Sequence, residues 1–208
     1  MKKRSDNPLA RQRILEAARR LMLQKGFGAT SLDDICKKVK LTKGCLFHYF
    51  RNKEELAQAV LEEFCGCVQE KIDQECCPIK EPDPLKRVYR HVGCLIQMAK
   101  GEDLSSGCLL GQFAQELSDA NSPLRKLCCE GFDHWAKKFE KDLKEAKEKY
   151  IPKSDLNPKS MARYFIAVVE GSMMMAKLDR QSKVFVMNME YFKKYVESFF
   201  KEKYNQKQ

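Results

Sequence analysis

The sequence predicts an all-α protein of about nine helices, and three observations support this prediction. No segment alternates apolar and polar residues over a length that would favour a strand. Apolar residues instead recur at spacings of three and four in several segments. Four of the seven prolines directly follow an oxygen-bearing residue suited to a helix N-cap, because proline needs no backbone N–H at the first helical position. These pairs are Asn7-Pro8, Asp83-Pro84, Ser122-Pro123 and Asn157-Pro158.

The first two helices are predicted from their apolar stripes and their end signals. Helix one runs from Pro8 to Lys25 and stops at Gly26. A short second helix follows Ser31, which together with Asp34 fits a capping box. These signals are local, and they predict two consecutive helices.

A third short helix is predicted to begin at Thr42 and to bury Leu46 and Phe50, which lie four residues apart. Asn52 then caps a long fourth helix, with Glu55 as the reciprocal cap. Further helices are predicted over residues 84–100, 106–119, 123–149, 158–178 and 182–203. We expect one unit over residues 8–68 and a larger helical bundle over residues 69–208.

Composition limits the classes of protein that fit. Hydrophobic residues make up 43% of the chain, which is enough to form a core. The start, MKKRSDNP, lacks the apolar segment of a signal peptide, and no apolar run approaches the roughly 18 residues of a membrane span. We therefore expect a soluble, cytoplasmic protein. The ten cysteines form no paired C-x-x-C array or Cys/His pattern, so we predict mostly reduced thiols, no metal and no cofactor.

The net charge of +10 is confined to the first quarter of the chain. Residues 1–53 hold 14 Lys and Arg against 4 Asp and Glu, an excess of +10. Residues 54–208 hold 25 of each sign. A merely solvated basic surface would not require this segregation, so the pattern favours a polyanion-binding N-terminal module on a neutral body.

Residues 41–56, LTKGCLFHYFRNKEEL, carry the most specific pattern in this basic region. If Leu46 and Phe50 pack inward, a short helix flanked by cations is left facing outward, with a glycine that allows close approach. Such a helix suits a groove of duplex nucleic acid. The residues left outward or at the edge are Lys43, Gly44, Phe47, His48 and Tyr49.

Residues near the helix starts add positions for phosphate. Thr30, Ser31 and Thr42 lie at helix N-termini, where backbone N–H groups and the positive end of the dipole favour anions. Lys53 lies in the first turn of the fourth helix, where an acid is usual. A nearby phosphate would account for a cation at that position.

The segment TSLDDICKKVKLTKGCLFHYFRNKEEL resembles the helix-turn-helix of TetR-family transcriptional regulators, whose usual form is close to T-[ST]-x-x-D-I-A-x-x-A-G-V-S-K-G-x-[LF]-Y-x-[HY]-F-x-[ST]-K-E-x-L. The resemblance covers about residues 8–68, with the motif itself at about 31–50. It implies a three-helix DNA-binding domain followed by a larger ligand-binding and dimerisation domain. It also implies a homodimeric repressor that binds double-stranded operator DNA with palindromic symmetry and leaves it when an effector binds. The implied DNA contacts are Thr30, Ser31, Thr42, Lys43, Gly44, Cys45, Phe47, His48, Tyr49 and Lys53.

Two positions depart from the family pattern. Lys40 stands where the family usually has glycine in the turn, and a left-handed conformation there would cost about 1 kcal/mol. Phe47 stands where the family usually has tyrosine, so a hydroxyl able to bind phosphate is missing. Cys45 occupies the variable position of the recognition helix, where a side chain can read bases. The operator of a relative therefore cannot be transferred to this chain.

Residues 103–119, DLSSGCLLGQFAQELSD, resemble a subgroup of the family in which S-G-C-L opens the sixth helix and which includes sensors of electrophiles and oxidants. Cys108 lies near the predicted helix start, where the dipole would favour a thiolate, and Lys177 could stabilise it. Two interpretations stay open. Either modification of Cys108 releases DNA, or Cys108 is a structural thiol beside an ordinary small-molecule pocket.

Apolar residues of the second half are candidates for lining that pocket, because methionines and aromatic residues suit adaptable sites. At helical spacing they are equally typical of plain core. The residues predicted to line an effector pocket are Phe113, Trp135, Phe139, Tyr164, Phe165 and Met173.

The last two helices carry apolar stripes that, in this family, would form a four-helix interface between two subunits. On the first helix the stripe is Phe165, Val168, Val169, Ser172 and Ala176. On the second it is Val186, Met189, Phe192, Val196 and Phe199.

Two other classes of protein explain less of the sequence. The three histidines show no triad spacing, and the chain has no Gly-rich phosphate loop or H-E-x-x-H motif, so we predict that it is not an enzyme. A thiol-based redox enzyme using Cys108 would leave the N-terminal charge unexplained. A helical adaptor would not need a capped short helix between two lysines. Steep loss of affinity with salt would distinguish the DNA binder from both.

Overall fold

The computed structural model describes residues 8–71, 74, 81–101, 107–117 and 122–204. Within these residues the chain forms nine α-helices and no β-strand, which confirms the predicted all-α class. The helices are α1 (Pro8–Lys25), α2 (Leu32–Val39), α3 (Lys43–Tyr49), α4 (Lys53–Lys71), α5 (Pro84–Gly101), α6 (Leu109–Glu116), α7 (Ser122–Tyr150), α8 (Pro158–Asp179) and α9 (Lys183–Tyr204).

The starts of the two short helices follow from side-chain caps. Ser31 Oγ accepts the backbone N–H of Asp34 at 3.1 Å, and Asp34 Oδ2 accepts the N–H of Ser31 at 3.2 Å, so the predicted capping box is confirmed. Thr42 Oγ1 accepts the backbone N–H of Cys45 at 3.2 Å and caps α3. These caps place both helices at the positions that the sequence predicts.

The later helices begin at caps of the same kind. Asn52 Oδ1 accepts the N–H of Glu55 at 2.7 Å at the start of α4. The reciprocal bond differs from the prediction, because Glu55 Oε2 accepts the N–H of Arg51 at 2.7 Å and not that of Asn52. Asp83 and Asn157 accept backbone N–H groups at the starts of α5 and α8, at 2.9–3.0 Å. The proline pairs at these two positions are therefore genuine helix starts.

The bounds of α6 differ from the prediction. The helix begins at Leu109 rather than at residue 106, because Gly107 adopts a left-handed φ of +74° that a helix cannot continue through. Residues 118–121 lie outside the described residues. The predicted caps at Asn7 and Ser122 also depend on side chains outside them.

The described helices group into two compact units. One contains α1, α2, α3, most of α4, α6 and the first turns of α7. The other contains α5, the rest of α7, α8 and α9. The predicted boundary at residues 68–69 stays a prediction, while the grouping of α6 with the N-terminal helices is a finding that sequence reasoning did not foresee.

Each unit has its own core. In the N-terminal unit α1 packs on α2 and α6, and α2 packs on α3, with Ile14, Ile35 and Leu46 fully buried. In the second unit α9 packs on both α5 and α8, around Phe139 and Phe165. None of the described helices combines the length and the apolar character that crossing a membrane requires.

Charged groups join α5 to α7 in the second unit. Arg87 Nε donates to Asp142 Oδ1 at 2.8 Å, and Lys149 Nζ donates to Asp83 Oδ2 at 2.7 Å. Burial raises the pKa of Asp83, but hydrogen bonds from Lys149 and Tyr150 outweigh it and lower the pKa from 3.8 to about 2. Asp83 is therefore a carboxylate that stabilises this unit in its ionised form.

Candidate nucleic-acid interface and thiol site

The short helix α3 presents one apolar side inward and its polar side to solvent. Leu46 is fully buried and Phe50 is 2% exposed, as the sequence predicts. The opposite side contains the residues that were predicted to face outward. Phe47 is one of them, and it is 48% exposed although its side chain is apolar. The exposed residues are Thr42, Lys43, Gly44, Phe47 and His48, and Cys45 and Tyr49 are half-buried beside them.

The turn between α2 and α3 is left-handed at a non-glycine residue. Lys40 has φ 56° and ψ 45°, so this lysine adopts the left-handed conformation for which the family usually has glycine. The backbone N–H of Leu41 donates to Cys36 O at 3.0 Å and closes the end of α2. Arg13 Nη2 of α1 donates to Val39 O at 2.7 Å. These bonds hold the turn, and with it the direction of α3, against the strain at Lys40.

The predicted threonine and serine contacts differ in accessibility. Thr30 is 1% exposed, and its hydroxyl donates to Gly26 O at 2.7 Å, so this side chain stabilises the turn after α1. Ser31 and Thr42 are exposed, and each uses its oxygen as a cap acceptor. A capping hydroxyl still has a hydrogen to donate to a phosphate oxygen. Of the pair Thr30 and Ser31, Ser31 is the accessible residue.

Lys43, the first residue of α3, forms an ion pair with Asp33 of α2. Lys43 Nζ lies 2.9 Å from Asp33 Oδ2, and both side chains are 56% exposed. His48 and Tyr49 contact each other edge to face, with ring centroids 5.0 Å apart. The outward surface of α3 therefore contains a cation and two polar rings, and Asp33 of α2 places beside them a carboxylate that sequence reasoning missed.

The ammonium group of Lys53 has partners within the N-terminal unit, which the sequence did not predict. Its Nζ donates to Gly28 O at 3.1 Å and lies 4.3 Å from the centroid of the Phe27 ring. Burial lowers the pKa of Lys53 below its ordinary value, although the nearby carboxylates of Glu54 and Glu116 raise it. The cation in the first turn of α4 thus has internal partners, and its position alone does not indicate a phosphate.

The end of α6 contacts the turn after α1 through Glu116. Its two carboxylate oxygens accept the backbone N–H of Phe27 at 3.1 Å and of Gly28 at 2.8 Å. A Cβ on Gly26 would lie 2.4 Å from Glu116 Oε1, and Gly26 has φ +90°, so this position requires glycine. Phe113 of α6 adds a ring contact to Phe27, with centroids 5.4 Å apart.

Exposed cations surround α3 and make this surface electropositive. The exposed basic residues of α2, the turn, α3 and the start of α4 are Lys37, Lys38, Lys40, Lys43 and Arg51. Such a surface attracts the phosphates of nucleic acid without reading their sequence. The exposed side chains of α3 lie among these cations.

Only part of the predicted pocket set comes together in the second unit. Phe139 and Phe165 stack with centroids 4.3 Å apart, and the Trp135 ring lies 6.2 Å from that of Phe165. His91, which sequence reasoning did not select, is fully buried and contacts both phenylalanines at 5.5 Å. Trp135 Nε1 is buried and has no hydrogen-bond partner within the described part of the chain.

The other pocket candidates lie elsewhere. Phe113 is buried in the N-terminal unit against Phe27. Tyr164 is 50% exposed, and its ring contacts those of Phe192 and Tyr195. Met173 is half-buried against the core of the second unit. The residues of the predicted set therefore do not gather around a single cavity.

Cys108 is a half-buried thiol outside any disulfide, and it directly precedes α6. It is hydrogen-bonded to the carboxyl group of Glu170, a residue of α8 that sequence reasoning missed. Lys177, also on α8, packs its side chain close to Gly107, since a Cβ there would lie 3.2 Å from Lys177 Cδ. The predicted proximity of Lys177 to this segment is thus seen, and Glu170 is a further neighbour.

The apolar stripes of α8 and α9 were predicted to form an interface between two subunits, but they pack mainly into the core of their own unit. Most of the residues named from periodicity pack inside the second unit, for example Phe165, Val169, Met189 and Val196. A second apolar surface lies exposed on the same two helices. Its members are Tyr164, Met174, Met175, Leu178, Met187, Tyr191 and Tyr195, which we call the outer apolar face.

Comparisons with known proteins match both parts of the chain. Residues 14–60 match the family of bacterial regulatory proteins of the tetR family, and residues 84–192 match the tetracyclin repressor-like C-terminal domain. The second match alone covers more than half of the chain.

Individual relatives agree with these matches. The HTH-type transcriptional repressor DhaR of Mycobacterium sp. (strain GP1) is 28% identical over 170 residues, which are 82% of this chain and 83% of DhaR. The fold is that of a regulatory protein TetR from Rhodobacter sphaeroides, with a TM-score of 0.77, 24% identity and coverage of 90% of this chain and 98% of that one. It is also that of Escherichia coli NemR in its reduced form, with a TM-score of 0.73, 23% identity and coverage of 91% and 96%. The chain therefore belongs to the TetR family of bacterial regulatory proteins and is a DNA-binding transcriptional regulator.

Proposed function

We propose that the chain acts as a homodimeric repressor that binds a palindromic operator through α3. The observation that carries this proposal is the outward surface of α3, where Lys43, Gly44, His48 and Tyr49 lie among exposed cations while Leu46 anchors the helix below. A helix of seven residues offers few base contacts, so specific binding needs two copies related by a two-fold axis. Ser31, Thr42, Cys45, Phe47 and Lys53 complete the proposed contact set, and Thr30, which is 1% exposed, supports it by holding the turn before Ser31.

The test uses fluorescence anisotropy to measure binding of the purified protein to DNA from upstream of its own gene at several salt concentrations. Lys43→Ala should weaken binding and flatten the salt dependence, because a phosphate contact accounts for a slope of about 0.9 per charge. Tyr49→Ala should weaken binding with the slope unchanged. Binding no tighter than to random DNA, with equally weak binding to fragments pulled down from the genome, would contradict the proposal.

We propose that the outer apolar face is the dimer interface. It is formed by two neighbouring helices, and Leu178 and Tyr191 on it are 71% and 64% exposed, which is unusual for residues of this size in a monomer. Leu178→Glu should shift the protein from dimer to monomer in sedimentation experiments. Leu9→Glu is the control, because Leu9 is 75% exposed on a helix of the other unit. A dimer that survives Leu178→Glu and Tyr191→Glu together would place the interface elsewhere.

We propose that an effector, either a small molecule or an electrophile at Cys108, releases the operator. The Cys108 thiol beside Glu170 supports the electrophile, and the buried aromatic cluster of the second unit supports the small molecule. Reporter expression in cells carrying Cys108→Ser distinguishes them. An unchanged response to electrophiles in that variant would remove the thiol alternative.

A further inference from the structure

The Cys108–Glu170 pair lies within the second unit and joins the segment before α6 to α8. Only one of the two carboxyl oxygens of Glu170 has a hydrogen bond among the described residues. Glu170 Oε1 is buried and has no hydrogen-bond partner among the described residues, so the Cys108 thiol supplies the hydrogen bond that the group does have. A carboxylate can accept about four hydrogen bonds, and burying one with so few is unfavourable.

Burial raises the pKa of Glu170 from 4.5 to about 7, and the hydrogen bond from Cys108 acts in the opposite direction. The carboxyl group therefore changes its charge near neutral pH. Within the described residues, Cys108 is the titratable group that affects it, and Lys177 lies two turns further along the same helix, beside Gly107. The thiol proton is thus an important stabiliser of the ionised form.

We propose that Glu170 accepts the proton of Cys108 when the thiol is alkylated, and that the loss of their hydrogen bond is the signal that α8 receives. This inference deepens the proposed function and rests on it for its effect on DNA. With iodoacetamide as the electrophile, a bond forms between Cys108 Sγ and the CH₂ carbon, and the carbon–iodine bond breaks. Iodide leaves, and the thiol proton passes to the Glu170 carboxylate. No oxidant or reductant is consumed.

Alkylation leaves Glu170 protonated at first, and above its pKa the carboxyl group loses this proton again. The alkylated sulfur has no hydrogen to donate, so the carboxylate that forms lacks the hydrogen bond from Cys108. Above its pKa the ionised carboxylate then favours conformations in which α8 gives it access to water. The same state is produced without a reagent by Cys108→Ala, whereas Cys108→Ser keeps a hydroxyl donor. This pair of variants separates the hydrogen bond from the reactivity of sulfur.

The first test measures urea unfolding against pH and does not depend on DNA. Because the folded pKa of Glu170 is raised, its ionisation lowers stability as pH rises from about 4.5 through 7. Cys108→Ala should extend this loss to higher pH, so its folding equilibrium constant should fall below wild type by roughly tenfold at pH 8 and match it at pH 6. Cys108→Ser should follow wild type. Glu170→Gln combined with Cys108→Ala should remove the difference.

The second test measures operator affinity and alkylation rate in the same proteins. Cys108→Ala should bind the operator more weakly than Cys108→Ser at pH 8 but not at pH 6, and Glu170→Gln should restore it. In otherwise wild-type protein, Glu170→Gln should also alter the pH profile of iodoacetamide alkylation. Identical unfolding profiles for Cys108→Ala and Cys108→Ser would overturn the inference. If wild type fails to bind any operator while the unfolding profiles differ as expected, the proposed function fails and the Cys108–Glu170 coupling stands.

Discussion

The ion pair between Asp33 and Lys43 leads to a prediction about DNA affinity. Lys43 is the cation of α3 that we expect to meet a phosphate, yet its Nζ lies 2.9 Å from Asp33 Oδ2 in the unbound protein. DNA must therefore break this pair and approach a carboxylate at the same time. Asp33→Asn removes both obstacles, and we expect it to tighten operator binding.

The magnitude follows from the exposure of the pair. Both side chains are 56% exposed, so the ion pair contributes about 0.2–1 kcal/mol. A carboxylate and a phosphate about 7 Å apart in water repel by roughly 0.6 kcal/mol before screening by salt. Together these terms predict a gain of about 1 kcal/mol, or roughly fivefold in affinity. The salt slope should become steeper by up to about 0.9, since Lys43 then neutralises a phosphate fully.

Anisotropy titrations of wild type, Asp33→Asn, Lys43→Ala and the double variant measure this effect. Compared with Lys43→Ala alone, the double variant should keep only the gain from direct repulsion, roughly threefold in affinity, because the ion-pair contribution requires Lys43. Asp133→Asn is a matched control, since Asp133 pairs with Arg163 at 3.4 Å in the second unit, with both side chains exposed. An affinity that stays unchanged in Asp33→Asn, or one that rises equally in Asp133→Asn, would refute the reasoning.

Three further predictions concern stability. Glu116→Ala removes two hydrogen bonds to the turn after α1 and should lower the free energy of unfolding by about 1–2 kcal/mol in urea titrations, while Gln115→Ala, also exposed on α6, should change it little. Lys40→Gly should raise the free energy of unfolding by about 0.5–1 kcal/mol, because relief of the left-handed strain exceeds the entropy that glycine adds to the unfolded chain. Arg180→Gly, at a residue with φ 53°, should raise it by a similar amount and leave DNA affinity unchanged. Because the pKa of Asp83 is lowered to about 2 in the folded protein, wild type should lose stability as pH falls from about 4 to 2. Asp83→Asn should make this loss smaller. Equal slopes of unfolding free energy against pH in the two proteins would contradict the stabilising role of the Asp83 carboxylate.

Helix positions were predictable because their signals are local. A cap needs only a side-chain oxygen and an N–H group two or three residues later, so Ser31, Thr42, Asp83 and Asn157 could be recognised from the sequence alone. The inward packing of Leu46 is equally local, because the period of the helix determines it. The orientation of α3 and the exposure of its polar side followed from these signals.

Faces of α8 and α9 were harder to assign because both helices carry two apolar stripes. Periodicity identifies a stripe but does not say whether it packs in its own unit or remains exposed. Phe165 and Met189 belong to the stripe that fills the core, whereas Leu178 and Tyr191 belong to the outer apolar face. The choice depends on which neighbouring helix fills the space, and that information lies in the fold and not in the period.

Partners far apart in the sequence left no signal at all. Lys53 suggested a phosphate when read beside its sequence neighbours, but Phe27, Gly28 and Glu116 supply its environment in the fold. Glu170 follows Cys108 by sixty-two positions and looks like an ordinary acid on an amphipathic helix. In both cases burial and a partner from elsewhere in the fold decide the chemistry of the charged group. Its residue type and its position in the helix are therefore not enough to assign its role. The same logic implies that the variants most informative about this regulator are those that alter these long-range pairs while leaving the local caps intact.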